Sequence, residues 1–310
     1  MTRIRISTFY IFVNLTQLRE TKDKLSQKCK QYDLKGTILL ATEGINGTVA
    51  GVPENLEAFV RYIRSDQRFK NIVEKVSYAE TFPFRRMKVR LKKEIVTIGI
   101  TRIDPTVDGG TYVKAGDWNE LLLDPEVVVI DTRNRYEIEI GTFPGAINPE
   151  INSFREFPEW VLRNSELIKN KKVAMFCTGG IRCEKASAYM KTVGHGDIFH
   201  LEGGVLNYFE KIKNAENQWI GECFVFDDRV SVKHDLKTGS YDLCHACRNA
   251  ITKQDKQSPS FVLGVSCPKC FFKTTEFRKS RFAERQKQIK LAAERSEPDL
   301  GKKKFNRRIG

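Results

Sequence analysis

The run Cys177-Thr-Gly-Gly-Ile-Arg-Cys183 is entered from the apolar, strand-like Val173-Ala-Met-Phe176 and left through the helix-like Glu184-Lys-Ala-Ser-Ala-Tyr-Met190. A strand, a glycine loop and a helix in that order put a thiol opposite successive backbone N–H groups and the positive end of a helix. Both favour thiolate over thiol, and the thiolate is the nucleophile. Arg182 adds a fixed positive charge about one loop-width away, and Gly179 and Gly180 let the backbone curl without a Cβ penalty. The loop, Thr178, Gly179, Gly180 and Ile181, is expected to surround an anion. A buried cysteine is often only a small hydrophobe, but burial of Cys177 alone does not require the glycines and the arginine. For Cys183 two readings stand: packing under the first helical turn, or a second thiol that resolves an oxidised Cys177 as a disulfide.

Loop length narrows the chemistry. Cysteine phosphatases of related architecture use C-x5-R, wide enough for a phosphoryl group, whereas Cys177 to Arg182 is C-x4-R, suited to a single terminal sulfur. The segment resembles the rhodanese active-site loop. Val127-Val-Val-Ile-Asp-Thr-Arg133 is similar to that family's buried strand ending in Asp-x-Arg, which gives Asp131 and Arg133 supporting roles. Gly141-Thr-Phe-Pro-Gly-Ala-Ile-Asn148 resembles its Gly-x-x-x-Gly-Ala-x-Asn turn, and Leu201-Glu-Gly-Gly-Val205 its closing Gly-Gly. The surrounding alternation of apolar strands and helices predicts a parallel α/β sheet covered on both faces, over residues 116–218.

The first 105 residues read as a smaller α+β domain. Ile4 to Val13 is strand-like, Leu15 to Tyr32 a polar helix, and Asn46-Gly47 a hairpin signal. Pro53 at a first helical position precedes Leu56, Phe59, Val60 and Ile63 at helical spacing. Strands over Val73 to Tyr78 and Met87 to Ile98 complete a β-α-β-β-α-β order that resembles the ferredoxin-like or acylphosphatase-like fold. In the last strand, alternation puts Arg86, Lys88, Arg90 and Lys92 on one face and Met87, Val89 and Leu91 on the other. With Phe82 and Phe84 nearby, these cations are candidates for RNA contact. The other reading is a solvated edge strand blunted by charge.

Asp104 to Thr111, with a proline and paired glycines, is the expected linker. Cys244-His-Ala-Cys247 and Cys267-Pro-Lys-Cys270 are two C-x-x-C knuckles, the spacing of a structural zinc site within a module over 219–275. Rubredoxin-like iron or two disulfides are the alternatives. Residues 276–310 read as a basic tail, flexible or transiently helical. The net charge of +14 is concentrated in the first 105 and last 40 residues, as expected if the flanks hold a polyanion while the centre performs chemistry. No apolar run approaches the ~20 residues that span a bilayer. The basic, apolar opening lacks a cleavage site and reads as a strand, so a cytoplasmic, non-membrane protein is expected.

The layout resembles the bacterial oxygen-dependent tRNA uridine-34 hydroxylase family, in which an acylphosphatase-like region precedes a rhodanese domain and a cysteine-rich tail. The resemblance rests on Ala41-Thr-Glu-Gly-Ile-Asn-Gly-Thr48, Phe82-Pro-Phe-Arg-Arg-Met-Lys-Val-Arg90, Phe176-Cys-Thr-Gly-Gly-Ile-Arg-Cys-Glu-Lys-Ala186 and Val265-Ser-Cys-Pro-Lys-Cys270. It implies formation of 5-hydroxyuridine in the anticodon loop of tRNA, with molecular oxygen as co-substrate and Cys177 as the family's rhodanese cysteine. The residues themselves give no organic cofactor site, since there is no G-x-G-x-x-G and no facial-triad spacing among four scattered histidines. Two other classes remain: a sulfurtransferase carrying a Cys177 persulfide, and a non-enzymatic RNA-binding adaptor.

Overall fold

Period-two alternation decides which way the first sheet faces. The computed structural model describes residues 3–100 and 103–295. In β1 (Ile4–Phe12), Phe9 and Ile11 turn towards a core under two helices, while Ile6, Thr8, Tyr10 and Phe12 lie on the opposite face. The elements α1 (Leu18–Gln31), β2 (Lys35–Ala41), β3 (Gly44–Gly51), α2 (Pro53–Ser65), β4 (Val73–Ala79) and β5 (Met87–Leu91) follow. Strand order is β4-β1-β3-β2-β5, antiparallel except that β5 runs parallel to β2. This is the expected β-α-β-β-α-β sheet with one strand added at its edge. Proline opens α2, and Leu56, Phe59, Val60 and Ile63 are its buried stripe, each contributing about 1.5–3 kcal/mol of apolar burial.

Two local expectations are corrected. The β2–β3 turn is Thr42-Glu43, with Ala41 paired to Gly44, so Asn46 and Gly47 lie inside β3. Gly47 is small there because a Cβ would sit 2.9 Å from the Phe9 ring; its demand is for packing, not for a turn. The strand expected to reach Ile98 ends at Leu91. Beyond it the chain is irregular, burying Ile95 beside Phe12 and Ala41 and carrying Ile98 into the core of the following domain.

The expected linker is partly structured. It contains α3 (Pro105–Asp108), and β6 (Thr111–Val113) already belongs to the next sheet. After α4 (Ala115–Leu123) come β7 (Val127–Asp131), α5 (Arg135–Ile138), β8 (Gly141–Thr142), α6 (Phe157–Arg163), α7 (Ser165–Ile168), β9 (Lys172–Phe176), α8 (Ile181–Thr192), β10 (Ile198–Leu201) and α9 (Gly204–Lys211). The sheet is parallel in the order β6-β10-β9-β7. Val173 to Phe176 of β9 are all buried, as a strand covered on both faces must be. On one side Phe143 meets Phe176, Tyr208 and Trp219 edge-on, with ring centroids 4.9–5.0 Å apart. Short strands β11 (Ile220–Gly221), β12 (Cys223–Phe224) and β13 (Ser231–Val232) extend this unit, β11 pairing with β8.

The chain divides after Gly239. The second unit holds β14 (Asp242–Leu243), β15 (Ala250–Ile251), the two cysteine knuckles and α10 (Glu276–Glu294). Part of the expected basic tail is therefore helix, while Lys302 to Lys304, Arg307 and Arg308 lie outside the described residues. Among the described residues no helix is long and apolar enough to cross a membrane.

Candidate active site

The Cys177 loop is closed by glycine geometry on both sides. Gly180 has a φ of 98°, which turns the chain into α8 and brings its N–H to 3.1 Å from Cys177 Sγ. From the other side the start of α9 donates Val205 N–H to the Cys177 carbonyl (2.9 Å) and Leu206 N–H to that of Thr178 (3.1 Å). Gly204 permits this approach: a Cβ there would lie 2.3 Å from the Cys177 oxygen.

Cys177 itself is fully buried. Burial works to raise its pKa, but a hydrogen bond from the Cys183 thiol, the Arg182 charge and the N–H groups of Cys183 and Arg182 outweigh it and bring it down to about 5. Burial and the adjacent Cys177 push Cys183 well above the usual thiol range. The two shifts run in opposite directions, favouring thiolate at Cys177 and thiol at Cys183. Thr132 Oγ1, which donates to the Phe176 carbonyl at 3.0 Å, lies 3.5 Å from Cys183 Sγ.

Arg182 lends its charge to Cys177, but its fork is engaged elsewhere. Arg182 does not offer its fork to an anion in the loop, because Nη1 and Nη2 donate to the two carboxylate oxygens of Glu137 at 2.6 and 2.7 Å. Glu137 is wholly buried at the third position of α5. Its carboxylate also accepts the Asn134 N–H; the sequence reading missed Glu137, although an Asn-x-x-Glu spacing can mark a helix start. Asp131 and Arg133 form a separate, fully buried pair. Arg133 Nη2 reaches Asp131 at 2.6 Å and the Gly141 carbonyl at 2.6 Å, and Thr142 Oγ1 donates to Asp131. They tie β7 to the 141–142 turn and do not touch the thiol.

Groups from the first domain, missed in the sequence, complete the surroundings. Tyr10 Oη donates to Glu184 at 2.5 Å, and a Cβ on Gly180 would lie 2.7 Å from that hydroxyl. Burial is the main cause that raises the Glu184 carboxyl and the Tyr10 phenol above their ordinary values. Lys185, buried on α8, donates to Glu43 (2.8 Å), Glu94 (2.6 Å) and the Val96 carbonyl (3.0 Å). Lys75 on β4 lies over Gly203, and burial lowers its pKa although the Cys177 and Glu184 charges oppose this. A cleft of about 60 Å³ opens between Thr8, Thr48, Lys75, Ser77, Thr178 and Arg229. Only contacts between distant segments reveal these partners.

The proposed RNA strand is elsewhere. Arg86, Lys88, Arg90 and Lys92 lie on or beside β5, the sheet edge opposite β4 and Lys75. Met87 and Val89 pack on the core as expected, whereas Leu91 is exposed. Phe82 and Phe84 pack against Ile4, Ile6 and Ala50, and Lys35 covers the Phe82 ring. Both rings are partly buried by this packing.

The four cysteines of the knuckles converge. The Sγ atoms of Cys244, Cys247, Cys267 and Cys270 all lie within 4.8 Å of one another. Cys247 to Cys267 is 3.7 Å and Cys267 to Cys270 is 3.8 Å. A metal–sulfur bond of about 2.3 Å sets a tetrahedral S···S edge of about 3.8 Å, so the donor set fits a tetrathiolate metal site and not two disulfides. Asn249 Nδ2 donates to Cys247 Sγ at 3.2 Å, the outer support such ligands receive.

Residues 4–95 match the family described as UPF0176 acylphosphatase like domain, and residues 115–211 match the rhodanese-like domain family. Over 303 residues the chain is 52% identical to the tRNA uridine(34) hydroxylase of Acaryochloris marina, covering 98% of each chain. Among solved structures it is similar to a rhodanese-like domain protein from Staphylococcus aureus (24% identity, 32% of this chain and 90% of that one, TM-score 0.27). A rhodanese-related protein from Thermoplasma volcanium is comparable (24% identity, 33% and 92%, TM-score 0.27).

Proposed function

The chain belongs to the tRNA uridine(34) hydroxylase family, and we propose that it forms 5-hydroxyuridine at the wobble position of tRNA, with molecular oxygen as co-substrate and the Cys177 thiolate acting on the uracil ring. The observation that carries the reading is a buried cysteine held as thiolate by loop N–H groups and Arg182 in a chain of this family. A thiolate that adds to C6 of uracil moves the C5=C6 electron pair towards C5 and O4, which makes C5 nucleophilic. An anticodon loop presents its wobble base unpaired, so little unstacking is needed to deliver it. The positive charge of the first domain and the chain end is of the sign needed to hold tRNA, and a tRNA substrate would put the protein in the cytoplasm. The four-cysteine cluster is read as a structural zinc site, because four thiolates leave no coordination position open to substrate.

The test is nucleoside mass spectrometry of tRNA incubated with and without the protein in air. A gain of one oxygen on uridine 34 is expected. A gain with the accurate mass of sulfur replacing oxygen would establish thiolation by a Cys177 persulfide instead, and unchanged tRNA would leave the adaptor reading.

A further inference from the structure

Hydroxylation of C5 by O2 leaves one oxygen atom to be reduced to water, and that takes two electrons. Resting on the hydroxylase reading, we propose that Cys183 is a catalytic residue that delivers them with Cys177, the two thiols ending as a disulfide in each turnover.

The geometry supports this on three counts. Cys177, just after β9, and Cys183, in the first turn of α8, are buried in one packed cluster, so the atom that bonds the substrate and the atom that reduces the oxygen belong to one site. Both sulfurs are removed from bulk water, beside Thr132. The remaining cysteines are unsuited to the task. Cys29 and Cys223 are single buried thiols pushed up to about 12, chiefly by burial, and the other four form the separate cluster.

The steps balance. Cys177 Sγ bonds to C6 and the C5=C6 pair becomes an enolate. The enolate reduces O2 at C5 and, with a proton, gives a C5 hydroperoxide. Cys183 sulfur attacks the distal oxygen, the O–O bond breaks, and the products are a C5 hydroxyl and a Cys183 sulfenic acid. Loss of the C5 proton expels Cys177 from C6 and releases 5-hydroxyuridine. Cys177 thiolate then attacks the Cys183 sulfur, forming the disulfide as hydroxide leaves and takes a proton to become water. Overall, uridine, O2 and two thiols give 5-hydroxyuridine, a disulfide and water, and an external thiol restores the pair by exchange.

The experiment uses the full chain, reduced and then freed of small thiols, mixed with substrate tRNA in air. We expect a burst of about one 5-hydroxyuridine per chain, loss of two titratable thiols in proportion, and a Cys177–Cys183 disulfide in the peptide map. Cys183→Ser is expected to lose the burst at least tenfold, with Cys177 still alkylated, and to recover product formation when excess dithiothreitol replaces the missing reductant. A wild-type burst with both thiols intact, a full burst from Cys183→Ser without reductant, or a wild-type first turnover that needs added thiol would each overturn the proposal while leaving the hydroxylase reading in place. Absence of 5-hydroxyuridine with and without reductant would remove both.

Discussion

Arg182 and Glu137 meet as a two-pronged ion pair across the back of the cysteine loop, at 2.6 and 2.7 Å and with Glu137 sealed from solvent. The planar guanidinium thus has a structural partner on α5 while its charge still reaches Cys177. Loop shape and thiolate stability are coupled through one side chain.

Replacing Cys177 with serine should abolish 5-hydroxyuridine formation and leave the circular dichroism spectrum unchanged, since the hydroxyl is nearly isosteric in the same loop. Wild-type product levels in that variant would end the catalytic assignment.

Because the Cys177 pKa is depressed to about 5, its thiolate is present above that pH and is lost as pH falls through it. Alkylation by iodoacetamide, followed by peptide mass, should therefore titrate near pH 5 and not near an ordinary thiol's 8.5. Lysine at 182 keeps the charge but not the planar fork. Arg182→Lys should move that midpoint upward, and an unchanged curve would count against the coupling.

Glu137→Ala leaves a buried guanidinium without its counter-charge. Urea unfolding should show a loss of roughly 3–5 kcal/mol, the usual consequence of removing one partner of a buried pair. The alkylation midpoint should not rise, because Arg182 then has no competing carboxylate. A loss below ~1 kcal/mol would mean that water replaces the carboxylate.

Purified protein should carry about one zinc per chain, released when Cys244, Cys247, Cys267 and Cys270 are blocked. Hydrogen exchange should rise within 240–275 before it rises in the parallel sheet, since metal binding energy is folding energy for so small a module. Iron in the metal analysis would refute the zinc assignment.

Substituting Arg86, Lys88, Arg90 and Lys92 together by alanine should flatten the plot of log K for tRNA against log salt by about 0.7–0.9 per lost phosphate contact. A wild-type slope would show that β5 is only a charged edge and would direct the search to the second unit.

The sequence by itself determined the local chemistry. The strand before Cys177, the helix after it, the stripe of α2 and the pairing of the two knuckles were all legible, because each is set by periodicity or by spacing over a few residues. Asn46-Gly47 misled for the same reason: a local turn signal was overruled by the need for a small residue under Phe9. Only the tertiary structure decided what stands around the thiol. Tyr10 meets Glu184 across 174 positions, Lys185 reaches Glu43 across 142, and Arg182 turns to Glu137 across 45. Such partners carry no local signal: the first two are chosen by which face of one domain's sheet closes over the other's loop, and the third by how α5 packs beside α8. That closure also fixes where each buried charge is neutralised, because a charge removed from water must be paired by whatever the fold brings within reach.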